Sequence, residues 1–166
     1  MGSYGLTDDV RAIRERMRKF IDGEVIPAEP ELEREEGEPR ARRDGVMARL
    51  KARAREEGLW ALGHPAEIGG GGLPFMSFVY LNEVIGRSHW GQVAVGSVSM
   101  QDSIMLHLYG SPEQKRRWLE PMVAGEIYPS VGLTEPEVAG SDPTLMQSSA
   151  RLEGGEWVID AHKWFT

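Results

Sequence analysis

Residues 69–72 are four glycines in succession. Each glycine in a helix or strand interior costs roughly 0.5–1 kcal/mol relative to alanine, so four together place a loop there. The chain on either side must therefore form separate elements. Before Gly125 apolar residues recur at the spacing of one helix face, and after it they alternate as in a strand. The expected fold is mainly α: an all-α helical domain over residues 1–125, then the beginning of a β-barrel-like domain over residues 126–166.

The helical part reads in segments. Thr7 or Asp8 caps a helix running to about Glu24, with Val10, Ile13, Met17, Phe20 and Ile21 on one face. Pro27 and Pro30 are expected to end it. The charged stretch 29–44 is expected to be a solvated connection, with room for a turn of helix. A second helix, about 44–57, turns Val46, Leu50 and Ala54 inward and stops at Gly58. Past the glycine loop, a third carries Phe75, Phe78, Val79, Leu81 and Ile85 and ends at Gly86. A fourth, about 92–109, holds Val93, Ala94, Val95, Val98, Met100 and Ile104. These small apolar residues predict the most buried helix of the chain. Ser111-Pro112-Glu113-Gln114 opens a fifth with a capping box. Beyond Gly125, residues 130–134 are short and extended, and 146–152 and 157–162 flank Gly154-Gly155 as a hairpin. A hairpin with one extra strand is marginal alone, so the second domain reads as unfinished.

Composition narrows the functions. With 40% hydrophobic residues in 166, a core is within reach. A net charge of −7 argues against a nucleic-acid surface. No apolar run reaches the roughly 18 residues of a membrane span, and the first residues lack the charged-then-apolar pattern of a leader, so secretion is not expected. The absence of cysteine removes disulfides and thiol chemistry and fits a reducing compartment, so a cytoplasmic protein is expected.

Few residues carry chemistry by pattern alone. The glycine run lacks a preceding strand and a following Gly-Lys-Ser/Thr, so it reads as a tight interhelix turn rather than a phosphate cradle. His64, His89, His107 and His162 share no metal-ligand spacing, and no metal site is assigned. Glu135 and Glu137 read as a solvated loop rather than an acid–base pair. Trp157 and Trp164 read as sheet packing. Residues 131–142 differ: a short extended stretch ends in a hydroxyl, then a proline turn leads to Gly-Ser-Asp. Such a turn presents backbone N–H groups and hydroxyls in one arc, suited to anions or ring carbonyls. A polar loop leaving a strand explains it equally well.

Thr134-Glu135-Pro136 followed by Gly140-Ser141-Asp142 resembles the flavin loop of acyl-CoA dehydrogenases. Three further stretches agree in order. Residues 65–73 resemble the family's Pro-Glu-x-x-Gly-Gly-x-Gly loop. Tyr109-Gly110-Ser111-Pro112-Glu113-Gln114-Lys115 through Ala124-Gly125-Glu126 is similar to its Gly-Thr/Ser-x-Glu-Gln-Lys…Ala-Gly-Glu segment. Residues 160–166 are similar to its Gly-x-Lys-Trp-Ile-Thr strand. The resemblance spans nearly the whole chain. Two departures stand out: Glu137-Val138-Ala139 lengthens the turn by one residue, as in the subgroup with Glu-Pro-Asp-Val-Ala, and Val131 stands where an aromatic is frequent.

The resemblance implies an FAD cofactor. Leu133 and Thr134 then lie along the flavin ring, through backbone amides and the Thr134 hydroxyl, with Val131 and Gly132 among the cofactor-binding residues. Gly140 and Ser141 meet the pyrophosphate, and Ser141 also reaches the acyl-CoA. Trp164 packs on the isoalloxazine with Phe165 beside it, and Thr166 bonds near the reactive nitrogen. The implied activity is α,β-dehydrogenation of an acyl-CoA thioester, with the base on a C-terminal helical domain expected to lie outside these residues. No catalytic residue is therefore assigned here, and the chain alone is expected to be inactive. Implied partners are the acyl-CoA substrate, an electron-transfer flavoprotein and further copies of the chain, with no nucleic acid and no membrane span. An acyl-CoA oxidase, a flavin monooxygenase of the same architecture, or a truncated non-catalytic interaction module remain alternatives.

Overall fold

The computed structural model describes residues 6–33 and 40–165. It divides into two compact units, Met1–Tyr128 and Pro129–Thr166. The first is helical, and the second carries a two-stranded sheet.

Helix α1, Asp8–Phe20, starts at Thr7, whose hydroxyl accepts the Val10 N–H at 3.3 Å. Asp8 and Asp9 stand in its first turn and Arg18 and Lys19 in its last, each complementing the helix dipole. Val10, Met17 and Phe20 are buried in the core and Ile13 packs against it, as the periodicity predicts. Each fully buried side chain of this size contributes roughly 1.5–3 kcal/mol relative to exposure.

The prolines do not end this helix. It passes through a π turn, Ile21–Val25, into α2, Ile26–Leu32. A proline removes the bond to the carbonyl four residues back and clashes with it. The π turn stands immediately before Pro27: the Ile26 N–H reaches five residues back, to Ile21. The turn widens where the ring must fit. Burial supplies the reason to continue, because Ala28 and Leu32 enter the core. Glu29 is not in a solvated connection either; its carboxylate accepts the Ser88 hydroxyl at 2.6 Å and the His89 N–H at 3.0 Å. Residues 34–39 of the expected connection lie outside the described residues.

Helix α3, Arg40–Glu56, begins four residues earlier than expected and buries Leu50 and Ala54. Helix α4, Phe75–Ile85, buries Phe78, Leu81, Val84 and Ile85. Of the apolar residues this helix carries, Phe75 and Val79 are exposed. The expected fourth helix is broken into α5, Gly91–Ala94, and α6, Met100–Tyr109. Gly96, at φ +69°, lies between them, and a Cβ there would stand 2.6 Å from the Trp60 ring. Nor is α6 the most buried helix: Ser103 is its one buried residue, while Met105, Leu108 and Tyr109 are exposed. The small apolar residues around the break, not those of α6, enter the core. After it come α7, Pro112–Gln114, a π turn Lys115–Leu119, and α8, Glu120–Val123. The capping box forms as expected, with the Gln114 N–H to the Ser111 hydroxyl at 3.2 Å and the Ser111 N–H to Gln114 Oε1 at 2.8 Å. This second π turn again stands just ahead of a proline, Pro121.

The glycine run is a loop, and its glycines allow backbone to lie on backbone. The N–H groups of Gly70, Gly71, Gly72 and Leu73 donate to the carbonyls of Pro65, Ala61, His64 and Leu62 at 2.9–3.0 Å. A Cβ on Gly70 would stand 2.2 Å from the His64 carbonyl oxygen.

In the second unit, β1, Ser149–Glu153, pairs antiparallel with β2, Glu156–Asp160, in register from Ser149↔Asp160 to Glu153↔Glu156. Gly154 and Gly155 take φ +59° and +87°, the positive pair that a two-residue hairpin turn needs. Residues 130–134 are not part of a strand. Trp157 does not pack: it is exposed, with Leu152 and Ile159. No helix among the described residues is long and apolar enough to cross a membrane.

The glycines separate two costs. Gly70→Ala is expected to destabilise the chain by about 1–3 kcal/mol, through overpacking against backbone. Gly45→Ala, exposed in α3 with nothing within 4 Å of its added Cβ, is expected to stabilise by about 0.5–1 kcal/mol. Urea unfolding of both variants checks this, and equal effects would show that the loop packing is wrong.

Candidate functional site

The second unit brings several of the sequence-predicted residues together. The Trp164 N–H donates to the Thr134 carbonyl at 3.1 Å. Gly140 lies beside Thr134, with the position of a Cβ 3.8 Å from Thr134 Cγ2. Trp164 and Leu133 are half exposed, at 46% and 48%, so an apolar surface stands open at the junction. Phe165 is exposed, at φ +53°, with its ring 4.9 Å from that of Trp164. Val131, Gly132, Gly140 and Ser141 are exposed on the loop. Thr166 lies outside the described residues. Just past Ser141, Asp142 turns the chain by accepting the Thr144 N–H at 3.0 Å and the Thr144 hydroxyl at 2.6 Å, which lowers its pKa.

Two residues without a predicted role sit at the centre. Glu135 is buried, not solvated. Its carboxylate accepts the Lys163 ammonium at 2.8 Å, the Gln147 N–H at 2.7 Å and the Ser148 N–H at 2.9 Å. Lys163 also donates to the Leu133 carbonyl at 3.1 Å. The Lys163 ammonium above all, with Ser148 and the Gln147 amide, holds the Glu135 pKa down to about 2. Ser148 Oγ favours the charged form from nearby without completing a hydrogen bond. Glu137 pairs instead with His162 Nδ1, at 2.7 Å on the surface. Glu135, Glu137, Gln147, Ser148, Asp160, Ala161 and His162 line a polar hollow of about 330 Å³.

The first unit holds a cavity of about 620 Å³ that periodicity could not foresee. His64, Phe75, Phe78, Met100, Gln101 and Ile104 are among its walls. Buried His64 meets the Ser103 hydroxyl through Nδ1 at 2.7 Å, while Nε2 makes no hydrogen bond. Burial lowers its pKa, an effect the Gly96 carbonyl counters only in part. The imidazole is therefore neutral near pH 7. Among the described residues no group of three or more His, Asp or Glu side chains is placed to hold a metal ion.

Residues 7–126 match the family model for the acyl-CoA dehydrogenase N-terminal domain. The chain is 36% identical over 171 residues to acyl-CoA dehydrogenase family member 10 of Mus musculus, across 98% of this chain and 16% of that protein. A Mycobacterium abscessus structure described as an acyl-CoA dehydrogenase superposes with a TM-score of 0.85 at 34% identity, covering 96% of this chain and 42% of its own. An acyl-CoA dehydrogenase complexed with FAD from Bacillus anthracis gives 0.66 at 26% identity, covering 96% and 26%. The chain thus spans less than half the length of each of these relatives.

The depressed Glu135 carboxylate fixes a pH window. Because its folded pKa lies below the ordinary 4.5, its contribution is complete above about 4.5 and is lost as the pH falls through about 2. NMR titration of the Glu135 side-chain carboxyl should give a midpoint well under 4, with the Gln147 and Ser148 amides shifting over the same range. An ordinary midpoint would mean that the carboxylate faces water.

Proposed function

This chain belongs to the acyl-CoA dehydrogenase family, and we propose that it supplies the N-terminal helical domain and the flavin-facing loop of an enzyme that oxidises acyl-CoA thioesters. In this reading residues 1–125 are the helical domain and 126–166 the incomplete middle β domain. The observation that carries the reading is the junction at Trp164, whose N–H bonds to the Thr134 carbonyl while Trp164 and Leu133 both remain half exposed.

The chemistry of these residues suits a flavin. A flat aromatic ring system stacks on Trp164 and packs on Leu133, with Val131, Gly132 and Phe165 at its margin. The Thr134 hydroxyl and the backbone amides of Leu133 and Thr134 meet its polar edge, as does Thr166. Gly140, beside Thr134, lets a pyrophosphate approach the backbone, and Ser141 adds a hydroxyl. The relative complexed with FAD supports the same choice of cofactor. The reaction removes a proton from the α-carbon and a hydride from the β-carbon, and bound FAD supplies the hydride acceptor.

The residues of this chain bind and orient; none is assigned as the base. Glu135 is unsuited, because a carboxylate with a pKa near 2 is a weak base and both its oxygens already accept hydrogen bonds. Glu137 is engaged by His162. The base is accordingly expected elsewhere in the enzyme. An electron-transfer flavoprotein as electron acceptor, homo-oligomeric assembly and a cytoplasmic location complete the proposal.

The purified 166-residue chain is expected to bind FAD weakly but saturably, to lose it on gel filtration, and to show no bleaching with an acyl-CoA under anaerobic conditions. A missing base alone removes about 10²–10⁴-fold of the rate. Fusing the chain to the remainder of the Mycobacterium abscessus relative should restore stoichiometric FAD and bleaching by substrate. A fused protein that holds no FAD would overturn the flavin reading. Bleaching by the 166-residue chain would place a base within it.

A further inference from the structure

Glu135 and Lys163 carry no assigned contact to cofactor or substrate, yet more polar contacts converge on them than on any described residue expected to face the flavin. We infer that Glu135 and Lys163 are positioning residues, whose ion pair fixes the two flavin-facing segments against each other before a cofactor arrives. The inference rests on the flavin reading of those segments.

The hairpin ladder cannot do this work, because it ends at Ser149↔Asp160. Past that point, residues 163–164 must still be brought to residues 133–134. Three bonds span the gap: Lys163 Nζ to the Leu133 carbonyl at 3.1 Å, Lys163 Nζ to Glu135 at 2.8 Å, and the Trp164 N–H to the Thr134 carbonyl at 3.1 Å. The other side of the same carboxylate takes the Gln147 and Ser148 amides, where the chain enters β1. One buried side chain therefore joins three stretches that are remote in sequence.

Apolar burial does not explain the arrangement. Leu133 and Trp164 remain half exposed, and β1 is exposed along its whole length. Order in this region depends on polar contacts. A buried carboxylate without its cation is strongly disfavoured, so the pair is held or lost together. The result is a loop whose Leu133 and Thr134 backbone already stands beside Trp164, which lowers the ordering cost when a ligand binds.

The test uses the 166-residue chain as wild type, E135Q, K163M and K163R. Amide hydrogen exchange without FAD should show protected Gln147, Ser148 and Trp164 in wild type. E135Q and K163M should lose the Trp164 protection while the ladder amides of β1 and β2 and the melting of the helical unit stay unchanged; K163R, which keeps a cation, should retain it. In a FAD titration E135Q and K163M should weaken binding by about tenfold or more, and K163R by less. Should E135Q melt the ladder as well, K163M against K163R decides alone, since both keep Glu135. Trp164 protection that survives both E135Q and K163M overturns the inference, as does equal FAD affinity across the four proteins. If wild type takes up no FAD but Trp164 protection still depends on Glu135, the flavin reading falls and the hold of the pair on the two segments stands.

Discussion

The helical unit closes on one indole. At and just past the end of α8 stand the carbonyls of Val123, Ala124 and Gly125, where a helix terminus leaves carbonyls without internal partners. Each meets a donor from elsewhere: Trp60 Nε1 at 3.1 Å, an Arg55 guanidinium nitrogen at 2.7 Å and Lys51 Nζ at 2.7 Å. The Arg55 guanidinium also lies 3.7 Å from the centre of the Trp60 ring. The ring leaves no room for a side chain at two places, Gly96 and Gly125, both at φ +69°. Gly96 marks the break between α5 and α6, and Gly125 marks the end of α8. The position of one tryptophan thus fixes where two helices stop and how the last one docks on α3.

Features written within a few residues were legible in the sequence. The capping box at Ser111 spans four residues, and both of its bonds form. The Gly154-Gly155 turn supplies two positive φ angles in succession, and the hairpin register follows. The inward face of α1 repeats often enough for periodicity to find it.

What failed depended on distant partners. Pro27 and Pro30 looked like stops because local geometry disfavours them, but Leu32 reaches the core and Glu29 finds Ser88, 59 residues away. A π turn stands ahead of Pro27 and another ahead of Pro121, reconciling those rings with a continuing helix, while Pro30 sits inside α2. The segment around Gly96 read as one buried helix because its residues are small, and the Trp60 ring that requires the glycine lies outside any local window. At the candidate site the loop was legible by its resemblance, but the ion pair ordering it was not. Glu135 and Lys163 are 28 residues apart, and nothing in either neighbourhood marks them as partners.

The central claim is that residues 131–134, 140–141 and 164–165 form one face that receives a flavin. The most direct measurement is the map of amide and indole chemical-shift changes as FAD is added to the isotope-labelled 166-residue chain. The account predicts that shifts cluster at Leu133, Thr134, Gly140, Ser141, Trp164 and Phe165, with the Trp157 indole little changed. Shifts confined to the walls of the His64 cavity, or spread without preference over both units, would contradict it.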